Sequence, residues 1–328
     1  MRKKKNLAIG LFSGGLDSIL AVKIVQKLGI EVTSVHFVTP FFSKKEDKDH
    51  IKKVADDLGF KLKVIALGDD YVTMVKQPKH GYGKNINPCI DCKIFMFSKA
   101  KEMMEEVKAD FVFTGEVMGE RPMSQNFQAL KLIENESGLT GRLFRPLSAR
   151  LLELTIPEKA GLFNQYQLLD IRGRSRKPQM ALAEKFGITK YPTPAGGCLL
   201  TDSHYSERLK DAFSFKEDSL NDIELLKHGR HFRLPSKAKV VVGRNEHENN
   251  ALAELVKKQD LAFSPTKVMG PLVILKNYKD NQDIEIAAGI CARYSDGLNE
   301  PLVEIQCGKK KFKAKPLEPG TINTWLIH

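Results

Sequence analysis

Residues 13 to 18 of the 328-residue chain read Ser13-Gly14-Gly15-Leu16-Asp17-Ser18, between an apolar run from Leu7 to Phe12 and a helical pattern that begins at Leu16. A strand that enters a glycine pair and leaves as a helix makes a cradle for an anion. The two glycines let the backbone approach closely and aim successive N–H groups at it, and the helix adds the positive end of its dipole. The hydroxyls of Ser13 and Ser18 can donate to phosphate oxygens; Asp17, which a phosphate repels, is suited to hold magnesium. The lysine of a Walker A loop and the three-glycine spacing of the dinucleotide fingerprint are both missing. The competing interpretation is a turn that needs glycine for geometry alone. The strand, the helix and every polar residue agree instead on a nucleotide, with Ser13, Gly14, Gly15, Asp17 and Ser18 as binding residues and Asp17 as a catalytic one.

The rest of the first half supports that placement. Strand-like runs at Leu7 to Phe12, Val32 to Phe37, Leu62 to Leu67 and Phe111 to Thr114 alternate with helical patterns at Leu16 to Leu28, Lys45 to Leu58 and about Cys89 to Val107. Gly29 and Gly59 stand where helix C-caps are expected. This alternation predicts an α/β domain with a doubly wound, mostly parallel sheet, whose ligands sit outside the carboxyl ends of the strands. The same rule brings His36 and Gly115 to the crevice as further nucleotide contacts, although a histidine in such a place is commonly only packed.

Length divides the chain into two domains, 1–205 and a smaller α+β domain at 206–328. With 42% hydrophobic and 28% charged residues, it reads as an ordinary soluble globular protein. No apolar stretch approaches the roughly 20 residues of a membrane span, and the basic start runs straight into a strand, so a cytoplasmic protein is expected. A net charge of +12 points toward a polyanion. Two runs concentrate it: Arg172-Gly173-Arg174-Ser175-Arg176-Lys177, and Lys309-Lys310-Lys311-Phe312-Lys313-Ala314-Lys315. Charge runs are usually solvated faces, but clusters like these also track phosphate backbones. Arg172, Arg174, Arg176, Lys310 and Lys311 are therefore candidate RNA contacts, with Arg121 a candidate for phosphate or RNA.

The five cysteines, an odd number without an export signal, argue against a disulfide framework. Cys89 and Cys92 open a helix in Asn87-Pro88-Cys89-Ile90-Asp91-Cys92, where thiolate chemistry is favoured. Cys198 follows the turn Pro194-Ala195-Gly196-Gly197. Cys291 and Cys307 lie in apolar, strand-like surroundings and read as buried structural thiols. The first three admit a zinc site, which lacks a fourth ligand at a suitable spacing. They also admit a redox pair, or a [4Fe–4S] cluster on three thiolates with one iron left open. On the redox reading Cys92 and Cys198 are the catalytic candidates; on the metal readings Cys89, Cys92 and Cys198 are the candidate ligands.

The Ser-Gly-Gly-x-Asp-Ser loop resembles that of the PP-loop ATP pyrophosphatases, of the adenine nucleotide alpha hydrolase-like fold. With Asn-Pro-Cys-x-x-Cys, Thr114-Gly115-Glu116, Arg145-Pro146-Leu147, the helix opened by Pro157-Glu158 and the Gly-Gly-Cys turn, residues 6 to 205 look like the tRNA 2-thiouridine synthases and related sulfur-inserting enzymes. The resemblance implies that ATP adenylates a uridine carbonyl oxygen, pyrophosphate leaves, and sulfur displaces AMP. Better-known members keep the equivalents of Cys92 and Cys198 as a persulfide carrier and its partner. The additional Cys89 is the pattern of the cluster-dependent enzymes, which implies a [4Fe–4S] cluster beside ATP and Mg2+, with tRNA and a sulfur donor (sulfide or a persulfide carrier) as partners.

The segment from 206 has its own texture, with β-like runs at Ala238 to Val242, Leu272 to Leu275 and Leu302 to Gln306 and helical material at Glu246 to Lys258. Val242-Gly243-Arg244-Asn245-Glu246-His247-Glu248-Asn249-Asn250 and Ala287-Ala288-Gly289-Ile290-Cys291-Ala292-Arg293-Tyr294-Ser295 look like motifs of the R domain of NFACT proteins, which implies RNA binding. A plain structural module is the other interpretation. Two other function classes stay open: an amide-forming PP-loop enzyme, against which the thiol triad stands, and a non-catalytic RNA-binding protein, against which the intact loop stands.

Overall fold

The computed structural model describes residues 6–42, 48–191 and 197–328, which fall into two units, Met1–Cys198 and Leu199–His328. In the first unit the order is β1 (Leu7–Leu11), α1 (Leu16–Lys27), β2 (Glu31–Val38), α2 (Lys48–Leu58), β3 (Lys61–Ala66), α3 (Asp69–Lys76), α4 (Cys89–Glu106), β4 (Phe111–Thr114), α5 (Phe127–Glu136), β5 (Leu143–Phe144), α6 (Ile156–Lys159) and α7 (Lys177–Lys185). The five strands pair in parallel in the order β3-β2-β1-β4-β5. The order reverses at β1, so the crevice beyond the carboxyl ends of β1 and β4 is a topological switch point, where open α/β sheets bind ligands.

Burial on both faces explains why β1 and β4 read as continuous apolar runs: Ala8, Ile9, Phe111 and Val112 have no exposed surface. Ile19, Val22 and Val25 of α1 join Phe12, Phe60, Phe111 and Phe144 in one core, and Leu16, Leu20 and Ile24 join Val117, Leu147 and Ala183 in another. Helix α1 is thus apolar on two sides because it is packed on two sides. The edge strand β3 is mostly exposed and carries Lys61 and Lys63 outward. The predicted strands and helices of this half all form. The expected start of α2 at Lys45 lies outside the described residues, as does most of the turn before Cys198. Helices α3 and α5 went unread, being short segments whose apolar faces are narrow.

The second unit contains α8 (Ser203–Ser214), α9 (Leu220–Leu225), β6 (Arg230–Arg233), β7 (Lys239–Val242), α10 (Glu246–Leu255), β8 (Leu261–Pro265), β9 (Val273–Lys276), α11 (Asn281–Arg293), β10 (Val303–Cys307), β11 (Lys310–Ala314), α12 (Pro319–Asn323) and β12 (Leu326–Ile327). Its strands form an antiparallel sheet ordered β11-β10-β8-β9-β7-β6-β12. Helix α11 buries Ala287, Ala288, Ile290, Cys291 and Ala292 in the core beside Val240, Phe263 and Val273. Two expectations are corrected here. Cys291 is buried but helical, because a helix whose small residues sit against a sheet shows no polar interruption to set it apart from a strand. Cys307 is on a strand but only partly buried. The basic run at 309–315 is largely the edge strand β11, with Lys310 and Lys311 exposed on it. Among the described residues no helix is long and apolar enough to cross a membrane.

His231 of β6 has no exposed surface; its Nε2–H donates to the His228 carbonyl at 2.8 Å, while Nδ1 is buried without a partner. Burial, with Lys239 and Arg208 nearby, holds its pKa well below the usual imidazole range. The folded unit therefore keeps the ring neutral, whereas the unfolded chain takes up a proton below about pH 6.5. This contribution is present in full above that pH and lost as pH falls through it. Denaturant titrations should show stability falling by about 1.4 kcal/mol per pH unit below that point from this residue, and His231→Gln should flatten that part of the slope.

Candidate active site

Between β1 and α1 the chain turns through Phe12 to Gly15. Gly14 takes φ +75°, a region that other residues avoid, and Gly15 caps α1 in extended conformation with no side-chain cap bond. Without such a cap, amides of the first turn are left to serve an anion. The Ser18 hydroxyl donates to the Gly15 carbonyl at 2.8 Å, and the Ser13 hydroxyl lies 3.3 Å from that of Ser18, so the two hydroxyls tie the loop together. A Cβ on Gly115 would stand 2.5 Å from the Asp17 carbonyl carbon and 2.6 Å from the Ser18 nitrogen. Only glycine lets the end of β4 abut the first turn of α1.

Ser13, Asp17, Ser18, His36, Gly115 and Arg121 line a cavity of about 300 Å³ at this crevice. His36 is buried and also packed: its Nδ1–H donates to the Phe12 carbonyl at 2.8 Å, which steadies the loop. The Asp17 carboxyl is raised above the usual range by burial, with Arg176 and Arg121 pulling it back. Glu120 beside it is raised by burial and by Asp17. Arg176 comes from the run read as an RNA contact. That run is docked beside the Ser13 to Ser18 loop, since the Gly173 N–H donates to the Met118 carbonyl at 2.8 Å, Arg172 forms a bridge with Met118, and Arg176 acts on Asp17. Arg172 and Arg174 are exposed, and Lys310 and Lys311 belong to the other unit. Asp17 Oδ1 is buried and has no hydrogen-bond partner; an orphaned carboxylate oxygen beside a phosphate cradle fits magnesium.

Helix α4 brings Cys89 and Cys92 to one turn. The Asn87 side-chain amide donates to Cys89 Sγ at 3.2 Å, and the Tyr71 hydroxyl lies 2.9 Å from Cys92 Sγ. Cys198 joins them through an antiparallel bridge to Phe42, a residue that lines the cavity. Burial pushes the Cys92 thiol up to about 12; the Tyr71 hydrogen bond opposes this, and the nearby Cys198 and Cys89 add to it. Tyr71 is raised in turn by burial and then by Cys92, Cys198 and Cys89. One buried hydroxyl thus bonds one of the three thiols and feels the charge of the other two. Among the described residues no three His, Cys, Asp or Glu side chains gather tightly enough to hold a single metal ion. A cluster spreads its ligand sulfurs over separate irons, and the three-thiol donor set has the chemistry for one.

Lys93, next after Cys92, joins the two groups. Its Nζ meets Glu116 Oε1 at 2.5 Å, and it lines the cavity at the crevice. Glu116 Oε2 accepts from Arg145 Nε at 2.9 Å and from the Thr114 hydroxyl at 3.2 Å, and Arg145 also reaches Glu134 at 2.9 Å. Burial alone would raise Glu116, but Lys93 and Arg145 hold it below the usual range. Lys93 and Tyr71 were not singled out in the sequence as site residues, and Glu116 was read only as part of Thr114-Gly115-Glu116 at the crevice. Adjacency to the cysteine motif was the available signal for Lys93; the others are recruited by folding.

A Gly-Gly cradle thus lies at the switch point of a parallel sheet, with three cysteines beside it. Residues 4–150 match the family model described as Thiamine biosynthesis protein (ThiI), and residues 229–326 match that of the NFACT protein RNA binding domain. Both resemblances drawn from the motifs are borne out over those residues. The chain is 23% identical over 231 residues to the tRNA-specific 2-thiouridylase MnmA of Syntrophomonas wolfei, covering 69% of this chain and 64% of that protein. It is 27% identical over 163 residues to a probable tRNA sulfurtransferase of Thermococcus kodakarensis, covering 47% and 41%. The chain therefore spans less than two thirds of the length of these curated relatives. Among solved structures, the U34-tRNA thiolase NcsA from Methanococcus maripaludis with its [4Fe-4S] cluster aligns at TM-score 0.35 and 19% identity, covering 69% of this chain and 74% of that one. A 4-thiouridine synthetase–RNA complex with bound ATP aligns at 0.36 and 23%, covering 57% and 54%.

Against the burial that raises Cys92, the Tyr71 hydrogen bond is the larger lowering influence, with Lys93 the smaller. Tyr71→Phe should therefore slow alkylation of Cys92 by iodoacetamide several-fold relative to Cys307, as read by peptide mass spectrometry; equal rates in both proteins would show that the hydrogen bond does not govern the thiol.

Proposed function

We propose that the chain is an ATP-dependent tRNA sulfurtransferase that adenylates a uridine carbonyl oxygen and replaces it with sulfur. The observation that carries this is the shared wall between cradle and thiols. The first turn of α4 holds Cys89 and Cys92, the next residue lines the nucleotide cavity, and Phe42 lines it while pairing with Cys198. A base activated in the cavity would lie beside the sulfur chemistry. The relatives' names, tRNA-specific 2-thiouridylase and tRNA sulfurtransferase, support tRNA as the acceptor.

In this reading the loop amides and the Ser13 hydroxyl hold the ATP phosphates. Asp17 holds magnesium, and Arg121 and Arg176 add positive charge where pyrophosphate leaves. The base must leave its stack to enter. Its carbonyl oxygen attacks the α-phosphorus, the bond to pyrophosphate breaks, and the ring carbon becomes electrophilic. Sulfur adds to that carbon and AMP departs with the oxygen. The three-thiol set of Cys89, Cys92 and Cys198 supports a [4Fe–4S] cluster, which when bound supplies an iron with an open coordination position. The residues 229–326 match supports RNA contact through the second unit, with Lys310 and Lys311 there and Arg172 and Arg174 in the first unit as contacts to the backbone.

Anaerobically purified protein should contain iron and sulfide and, with ATP and tRNA, yield AMP, pyrophosphate and thiouridine in digested nucleosides. Asp17→Asn should lower kcat by about 100-fold or more, and Cys89→Ala should lose both iron and product. An iron-free protein in which Cys89→Ala still thiolates tRNA would replace the cluster with a persulfide on Cys92 resolved by Cys198. Absence of tRNA-dependent pyrophosphate release would overturn the activity itself.

A further inference from the structure

Gln179 sits in the first turn of α7, the helix that packs against α1. It has no exposed surface, yet neither its Oε1 nor its Nε2 has a hydrogen-bond partner. A buried amide in that condition forfeits its hydration with no return, and an apolar side chain of the same shape would serve packing at least as well. Such a residue is expected where function, not stability, sets the choice.

Its neighbourhood identifies the function. Gln179 stands within side-chain hydrogen-bond reach of the Asp17 carboxyl and lowers its pKa, and Asp17 Oδ1 is likewise buried without a close partner. The other groups around Asp17 are charged: Arg176, one turn before Gln179 at the start of α7, Arg121, and Glu120. Gln179 is the neutral member. A guanidinium bonded to Asp17 would cancel the charge that attracts a cation. An amide N–H can fix one carboxylate oxygen without doing so, as the outer partners of metal ligands commonly do.

We propose that Gln179 is a positioning residue of the nucleotide site, donating its Nε2–H to one oxygen of Asp17 so that the other is presented to the magnesium of MgATP. This rests on the nucleotide reading above.

The test is Gln179→Met in the full chain, a replacement of similar volume without polar atoms, followed by thermal melting and by calorimetric titration with ATP at graded Mg2+ and without it. The variant should melt at or above the wild-type temperature and bind Mg2+-free ATP as the wild type does, while its Mg2+ midpoint for ATP binding rises about 10- to 100-fold. A purely structural role would not move that midpoint selectively. An unchanged midpoint overturns the proposal, and so does a clearly lower melting temperature or a failure to fold, which would show that the amide is satisfied inside the folded chain and serves it. Wild-type protein that binds no ATP at all would instead bring down the nucleotide reading, and this inference with it.

Discussion

The position of the thiols relative to the nucleotide cradle depends on one buried carboxylate. Glu116 is 6% exposed, and both its oxygens are engaged, one by Lys93 and the other by Arg145 and Thr114. Lys93 ties it to the cysteine-bearing end of α4. Arg145 ties it to α5, through Glu134 and the Leu130 carbonyl at 3.0 Å. Removing one partner of such a buried pair strands a charge, at a cost of about 3–5 kcal/mol. The end of β4, which Gly115 presses onto α1, and the start of α4 are therefore held by the same few atoms, and a shift in one is felt by the other.

Charge around the cradle is nearly balanced. Asp17, Glu116 and Glu120 face Lys93, Arg121 and Arg176, and the two basic partners of Glu116 are already committed to it. A triphosphate brought into this setting would find Arg121 and Arg176 partly offset by Asp17 and Glu120. The rest of its charge would be left to backbone amides, whose dipoles carry no proton to lose, and to a divalent ion. Acidic residues lining a phosphate site are thus consistent with it, because they make the metal part of the binding energy.

Much of this was legible in the sequence wherever local chemistry and topology coincide. The Ser13 to Ser18 loop declares itself because glycines, hydroxyls and an acid sit between a strand and a helix, and the parallel order of the first sheet follows from alternation. Arg176 was visible as charge, but its place beside Asp17 depends on the pairing of Met118 with Arg172, which no local pattern encodes. Gln179 was invisible for a related reason: a glutamine on a helix reads as a solvated residue until packing buries it. In the second unit the misread segment around Cys291 shows the reverse failure, in which burial erases the periodicity that distinguishes helix from strand.

Lysines stand on edge strands of both sheets, Lys61 and Lys63 on β3 and Lys310, Lys311 and Lys313 on β11. A bare sheet edge offers unpaired amides and carbonyls to any passing strand, and like charge along it keeps a second copy of the same edge away. Some of the basic excess is accordingly a colloidal safeguard that any protein with open sheets needs, whatever it binds. The charge left for a polyanion is smaller than the net charge implies, and where arginine carries it the planar fork suits phosphate better than lysine's point charge.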